Sequence, residues 1–197
     1  KKKFHVYDSW QGVPEKNEND NLKNSKIIND QIVSDNNIRT INEQIDINEN
    51  YWKKGACQCN KIDFIKTFEE LNTLPPIQYK DKIIDKINLP IIHDGFFIDI
   101  PDNEYPEKIS FAFFDGDFYS SIMDSFNKVY YKCVKDSIIV IDDCGDNTLI
   151  GVKNACIDFL SDKNEELHFD AYPDSKGNWD RSNSLNSFPW GGWIKKV

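Results

Sequence analysis

The sequence has one methionine, Met123, and none at its first position, so it reads as a fragment of a longer protein. None of its nine glycines forms a G-x-G pattern, which excludes a glycine-rich phosphate or dinucleotide turn within these residues. No apolar run approaches the length that spans a bilayer, and the opening "KKKFHVYDSW" has no uninterrupted apolar stretch of the signal-peptide kind. The chain therefore reads as soluble and intracellular, with the cytoplasm as its expected location and no membrane partner. Positive charge is in deficit: 24 Lys plus Arg face 33 Asp plus Glu, a net charge of −9. That balance leaves no electrostatic footprint for nucleic acid or anionic lipid and points to a small molecule or a cation. Five cysteines, an odd number without zinc-site spacing, suit a reducing compartment better than a disulfide framework, and the close pair Cys57 and Cys59 reads as loop or helix-start residues.

A length of 197 residues suits one α/β domain with one core. "KFHVYDS" predicts a short strand from Lys3 to Tyr7, ended by Asp8, Ser9 and the turn residues "QGVPE". From Glu15 to Asn50 the composition turns to Asn, Asp, Glu, Lys and Ile with no sustained apolar period, which predicts a mobile polar insertion or lid at about 15–50. Ile62, Ile65, Phe68 and Leu71 recur at helical spacing behind an N-cap, Asn60. A short strand lies within Leu89 to Pro101, and another runs from Lys108 to about Phe114. Phe118, Ile122, Met123, Phe126, Val129, Tyr130 and Cys133 then form one helical stripe, read as core. "SIIVID" predicts a strand, "GVKNACIDFLSD" a helix packing through Val152, Cys156, Phe159 and Leu160, and "ELHFDAY" and "WGGWIKKV" late strands, the last closing an edge. Strands alternating with helices predict a mainly parallel sheet covered on both faces.

Two apolar runs end on acids: "FAFFDGDF" on Asp115 and Asp117, and "SIIVIDDCGD" on Asp142 and Asp143. In an open parallel sheet, ligands bind beyond the carboxyl ends of the strands, where Asp8, Asp115, Asp142 and Asp143 all fall. Successive parallel strands joined by one helix usually lie side by side, so Asp115 should meet Asp142 and Asp143. Like charges so close raise one another's pKa unless a cation lies among them, and oxygen donors without Cys or His suit Mg2+. Helix capping is the bland alternative; Asp117 before "FYSSIM" suits it, but capping leaves two acids unexplained.

The stretch "FFDGDFYSSIMDSFNKVYYKCVKDSIIVIDDCG", Phe113 to Gly145, resembles the macrocin O-methyltransferase family, whose members show L-D-G-D-x-Y-x-S-T-x-D-A-L and then V-D-D-Y. "VYDSWQGVP", Val6 to Pro14, is similar to the family's D-S-F-x-G-L-P, and "GFFIDIP", Gly95 to Pro101, to its G-W-F-x-D-T-L-P. The resemblance implies an α/β, Rossmann-like sheet of the class I methyltransferase type with helices on both faces, in a single methyltransferase-like domain. It also implies S-adenosylmethionine and Mg2+ as cofactors and a sugar or glycan hydroxyl as the methylated group. Carried over by position, Asp115, Asp142 and Asp143 would be metal ligands, Asp8 would accept the ribose hydroxyls, and Gly95 and Phe96 would lie near the adenine. Departures are Cys144 for Tyr, Phe96 for Trp, and a longer acidic linker, which bear on substrate choice. This fold class normally opens with a first strand and a glycine-rich turn, which are missing from this chain, so the fragment alone is expected to bind the cofactor weakly and could be inactive.

Chelation of two adjacent sugar hydroxyls by Mg2+ would acidify the one to be methylated. Asp115 is the candidate proton acceptor, with His93 the alternative. Two rivals stay open: a noncatalytic methyltransferase-like binding module of a larger protein, favoured by the missing glycine turn and opposed by the retained acids, and catechol-type methylation on the same metal logic. Whether the chain forms a homo-oligomer or sits in a multidomain parent is also open.

Overall fold

The computed structural model describes residues 2–21, 49–79, 82–84, 86, 88–146, 148–170 and 191–197. Most of the expected lid, residues 22–48, and Trp190 lie outside the described residues.

Two apolar runs build the centre. Strand β5, Ile109–Phe114, and strand β6, Cys133–Ile141, pair in parallel with Phe114 opposite Ile141. Parallel neighbours need a crossover, and helix α2, Tyr119–Val129, followed by a 3-10 turn Tyr130–Lys132, provides it. Cys133, placed on the helical stripe by sequence, instead begins β6, because the 3-10 turn ends the helix before it. Strand β8, Gly191–Lys195, runs antiparallel to β6, and β7, His168–Asp170, runs antiparallel to β8, giving the order β5-β6-β8-β7. The last strand is therefore not an edge: β8 is inserted between β6 and β7, and Ile194 opposite Ile139 is buried among both neighbours. Within this sheet the pair β5–β6, at one edge, is parallel, and the pairs β6–β8 and β8–β7 are antiparallel.

Helix α2 and helix α3, Ile150–Leu160, cover this sheet. Phe118, Ile122, Phe126 and Val129 follow the i, i+4 and i, i+3 spacings that put side chains on one face. Phe126 stands edge-on to Phe114 at 5.1 Å and stacks on Phe159 of α3 at 4.3 Å. Burying each such side chain contributes about 1.5–3 kcal/mol.

Strands β1, His5–Asp8, and β4, Ile91–Asp94, form a separate parallel pair with Asp8 opposite Asp94. The pair is held to the rest by Tyr7 stacked on Tyr105 at 4.4 Å, while Lys128 of α2 donates to Ile100 O at 2.9 Å. Among the described residues no strand pairs with the second edge of β1 or of β5. Helix α1, Lys61–Leu71, is capped by Asn60 as its sequence predicts, with Asn60 Oδ1 accepting from Ile62 N at 2.8 Å. A small hairpin, β2 (Ile77–Tyr79) with β3 (Lys82–Ile84), was not anticipated from the sequence. Among the described residues no helix is long and apolar enough to cross a membrane.

Candidate functional site

Because β5 and β6 are parallel neighbours, the residues that follow them emerge together at one end. The pairing continues one step past the strands, Asp142 N donating to Phe114 O at 2.8 Å. Beyond this point both chains turn sharply. Asp117 and Asp143 adopt left-handed backbone, with φ of 55° and 51°, a conformation that Asp tolerates better than most residues. Gly116 permits the first turn: a Cβ there would lie 2.8 Å from Ser121 Cβ. The outcome is one cluster, in which carboxylate oxygens of Asp115, Asp117 and Asp143 lie within 4.8 Å of one another. Asp142 is beside the group rather than in it, its Oδ1 accepting from Asp143 N at 3.1 Å.

Asp117 thus has a different place from the helix cap suggested by the sequence. Phe118 is the N-cap residue of α2 and makes no side-chain cap bond, while the helix N–H of Tyr119 donates to Asp20 Oδ1 at 2.7 Å. Sequence reasoning missed both residues. For Asp117 the signal was its symmetry with Asp115 about one glycine; for Asp20 no local signal exists, since its partner lies 99 residues away.

The electrostatics set this cluster apart from the lysine-paired acids Asp94 and Asp102. Burial, then the charges of Asp115, Asp143 and Asp142, push Asp117 up to about 7. Burial, then Asp142, Asp146 and Asp115, push Asp143 up to about 7. Asp115 is shifted upward by burial, Asp142 and Asp8. By contrast, Asp94 is held below the ordinary carboxylate range by hydrogen bonds from Lys61 and Trp10, and Asp102 by its bond from Lys128. Three convergent oxygen donors, raised by one another and lacking a lysine partner among the described residues, fit a hard divalent cation such as Mg2+.

Asp8 adjoins this cluster closely enough for its charge to raise Asp115. Its Oδ1 closes a turn by accepting from Trp10 N at 2.5 Å, and its carbonyl accepts from Gly95 N at 3.0 Å. Asp8 and Gly95 are thereby brought side by side, and Oδ2 of Asp8 makes no hydrogen bond among the described residues. Phe96, half-buried, accepts from Asp99 N at 2.9 Å through its carbonyl. His93 has both ring nitrogens engaged, one 3.0 Å from His5 Nδ1 and the other 2.8 Å from Glu104 Oε2, so it is a member of a hydrogen-bonded chain and not a free base.

On another side, reciprocal backbone bonds of 2.9 Å join Val13 N to Ala56 O and Gly55 N to Val13 O. This strap brings Cys57 near the cluster: burial, then the charges of Asp117, Asp115 and Asp143, raise its thiol pKa. Close to its root, Glu15, Lys16, Asn17, Glu49, Trp52 and Lys53 help line a cavity of about 650 Å3.

Residues 85–170 match the family model for macrocin O-methyltransferase (TylF). Over this segment, less than half of the chain, the sequence is similar to that family. The match includes Gly95, Phe96, Asp115, Asp117, Asp142 and Asp143, and leaves Asp8 and Asp20 outside it. The chain is similar in structure to the O-methyltransferase NovP, at 15% identity and a TM-score of 0.59, over 99% of this chain and 60% of that one. It is similar also to CalS11, a calicheamicin methyltransferase, at 14% identity and a TM-score of 0.60, over 98% of this chain and 60% of that one. These likenesses are of fold, the Rossmann-like α/β fold of class I methyltransferases, and the chain spans about 60% of the length of either structure. No curated protein matches the sequence.

Proposed function

We propose that the chain carries the catalytic centre of an S-adenosylmethionine-dependent, Mg2+-assisted O-methyltransferase acting on one hydroxyl of a vicinal diol of a sugar, either nucleotide-linked or part of a glycan. The observation that carries this reading is the cluster of Asp115, Asp117 and Asp143 at adjoining strand ends, with carboxylates raised by burial and by one another.

Asp115, Asp117 and Asp143 would hold the ion, with Asp142 as a further negative charge beside them. Bound there, Mg2+ would acidify neighbouring sugar hydroxyls, and S-adenosylmethionine would supply the electrophilic methyl group. The residues of the chain align the acceptor and remove its proton. Asp115 is the acceptor read from the sequence, and Asp117, half-buried where Asp115 is exposed, is a second candidate. A bound cation lowers the pKa values of these two carboxylates, so both are ionised when the site is loaded. Asp8 would take ribose hydroxyls through Oδ2, beside Gly95 and Phe96 at the adenine.

The second edges of β1 and β5, unpaired among the described residues, favour a second reading as a binding module without chemistry. Radiolabelled methyl transfer separates the two. A vicinal-diol sugar should be methylated with Mg2+ and spared in EDTA, and an analogue lacking only the unmethylated hydroxyl should react far more slowly. Equal rates on both sugars, or full activity in EDTA, would sink the chelation mechanism, and absence of transfer to any acceptor favours the module.

A further inference from the structure

Helix α2 takes its cap from far away in the sequence. Asp20, 2% exposed, accepts Tyr119 N at 2.7 Å through Oδ1 and Asn17 N at 2.9 Å through Oδ2. The same carboxylate lies over the first turn of α3: a Cβ on Gly151 would come 1.7 Å from Asp20 Oδ1, so only glycine leaves room for it. Asn154 of α3 donates to Asn19 O at 3.1 Å and pins the same 3-10 turn, Glu18–Asp20, to that helix. One carboxylate therefore sits between the N-terminal ends of two helices, where partial positive charge and free N–H groups favour it.

Two consequences meet at this point. Tyr119 is only two residues beyond Asp117, and Phe118 N is tied back to Gly116 O at 2.6 Å, so the bond from Tyr119 to Asp20 ends a short, taut link to the cluster. The turn that carries Asp20 also forms part of the cavity wall through Asn17, Glu18 and Asn21. We infer that Asp20 is a positioning residue: it sets Asp117 against Asp115 and Asp143, and registers the cavity wall, and with it the acceptor, to the same cluster. This inference rests on the reading of the cluster as a cation site.

The test measures Mn2+ affinity by electron paramagnetic resonance on wild type, Asp20→Ala, Asp20→Asn and Gly151→Ala, alongside amide exchange and steady-state kinetics. Asp20→Ala and Gly151→Ala should weaken Mn2+ at least fivefold and lower kcat at least tenfold with KM for S-adenosylmethionine unchanged. Asp20→Asn, which keeps one of the two oxygen acceptors, should recover part of both. In wild type, Mn2+ should slow exchange at the Tyr119 amide, because coupling between two sites is reciprocal, and this needs no variant to fold. Unchanged Tyr119 exchange on Mn2+ binding, or Mn2+ affinity and kcat within twofold of wild type in folded Asp20→Ala and Gly151→Ala, overturns the inference and leaves the cation site standing. Absence of Mn2+ binding to wild type overturns the cation site and this inference with it.

Discussion

Asp117 and Asp143 stand at the ends of neighbouring parallel strands, both with left-handed backbone, and each contributes a carboxylate oxygen to one cluster with Asp115. Two separate turns are thus bent the same way to bring together charges that repel.

That repulsion has a pH signature. Asp117 and Asp143 have an ordinary pKa of 3.8 and are pushed up to about 7 in the fold. Between these values the folded chain holds more protons than the unfolded chain, so stability falls as pH rises from about 4 to about 7. In EDTA the melting temperature should drop over that range, and saturating Mg2+ at pH 8 should restore it. A flat profile in EDTA, with no response to Mg2+, would remove the electrostatic case for a cation site.

Single replacements divide stability from function. Asp117→Asn and Asp115→Asn each remove one repelling charge without changing shape, so in EDTA both variants should be as stable as wild type or more so. Each should lose most of the Mg2+-induced rise in melting temperature. Methyl transfer should fall by about 100-fold or more, the range for loss of a general base. Thermal melts and radiolabel assays on the same preparations check all three outcomes.

Glu165 behaves in the opposite way. Burial opposes its charge, yet bonds from Lys196, Tyr130 and Val197 N overcome burial and bring its pKa from 4.5 down to about 2. The unfolded chain holds more protons in this window, so the contribution is complete above about 4.5 and is lost as pH falls through about 2. Glu165→Ala should destabilise the fold by about 2–4 kcal/mol in urea melts, somewhat under the range for a fully buried pair because the Lys196 side chain is 20% exposed. It should also flatten the acid limb of the stability profile.

Cys144 occupies the position where the family motif has Tyr. It is fully buried, its Sγ 3.7 Å from Cys156 Sγ, and a Cβ on Gly192 would already lie 3.3 Å from both its Cβ and Sγ. Cys144→Tyr should therefore overpack the loop that carries Asp143, destabilising by about 1–3 kcal/mol or more. Cys144→Ser, close to the same volume, should be milder. Equal melting temperatures for wild type and the tyrosine variant would show that the loop has room to adjust.

Local pattern alone determined a good deal of this protein. The apolar runs before Asp115 and Asp142 marked two strands, Asn60 marked the start of a helix, and the stripe from Phe118 to Val129 marked the helix that covers the sheet. Each depends on the period of neighbouring side chains, which is readable along the chain. The same logic put Asp8, Asp115, Asp142 and Asp143 at strand ends. Tertiary structure alone decided which acids converge. The left-handed turns at Asp117 and Asp143 set the direction of those side chains, and no residue spacing encodes a turn's handedness at an aspartate. It also decided that α2 would borrow its cap from Asp20, which frees Asp117 for the cluster, and that the final strand would enter the sheet between two others. Such choices rest on contacts between residues tens of positions apart, where packing and buried hydrogen bonds outweigh local preference.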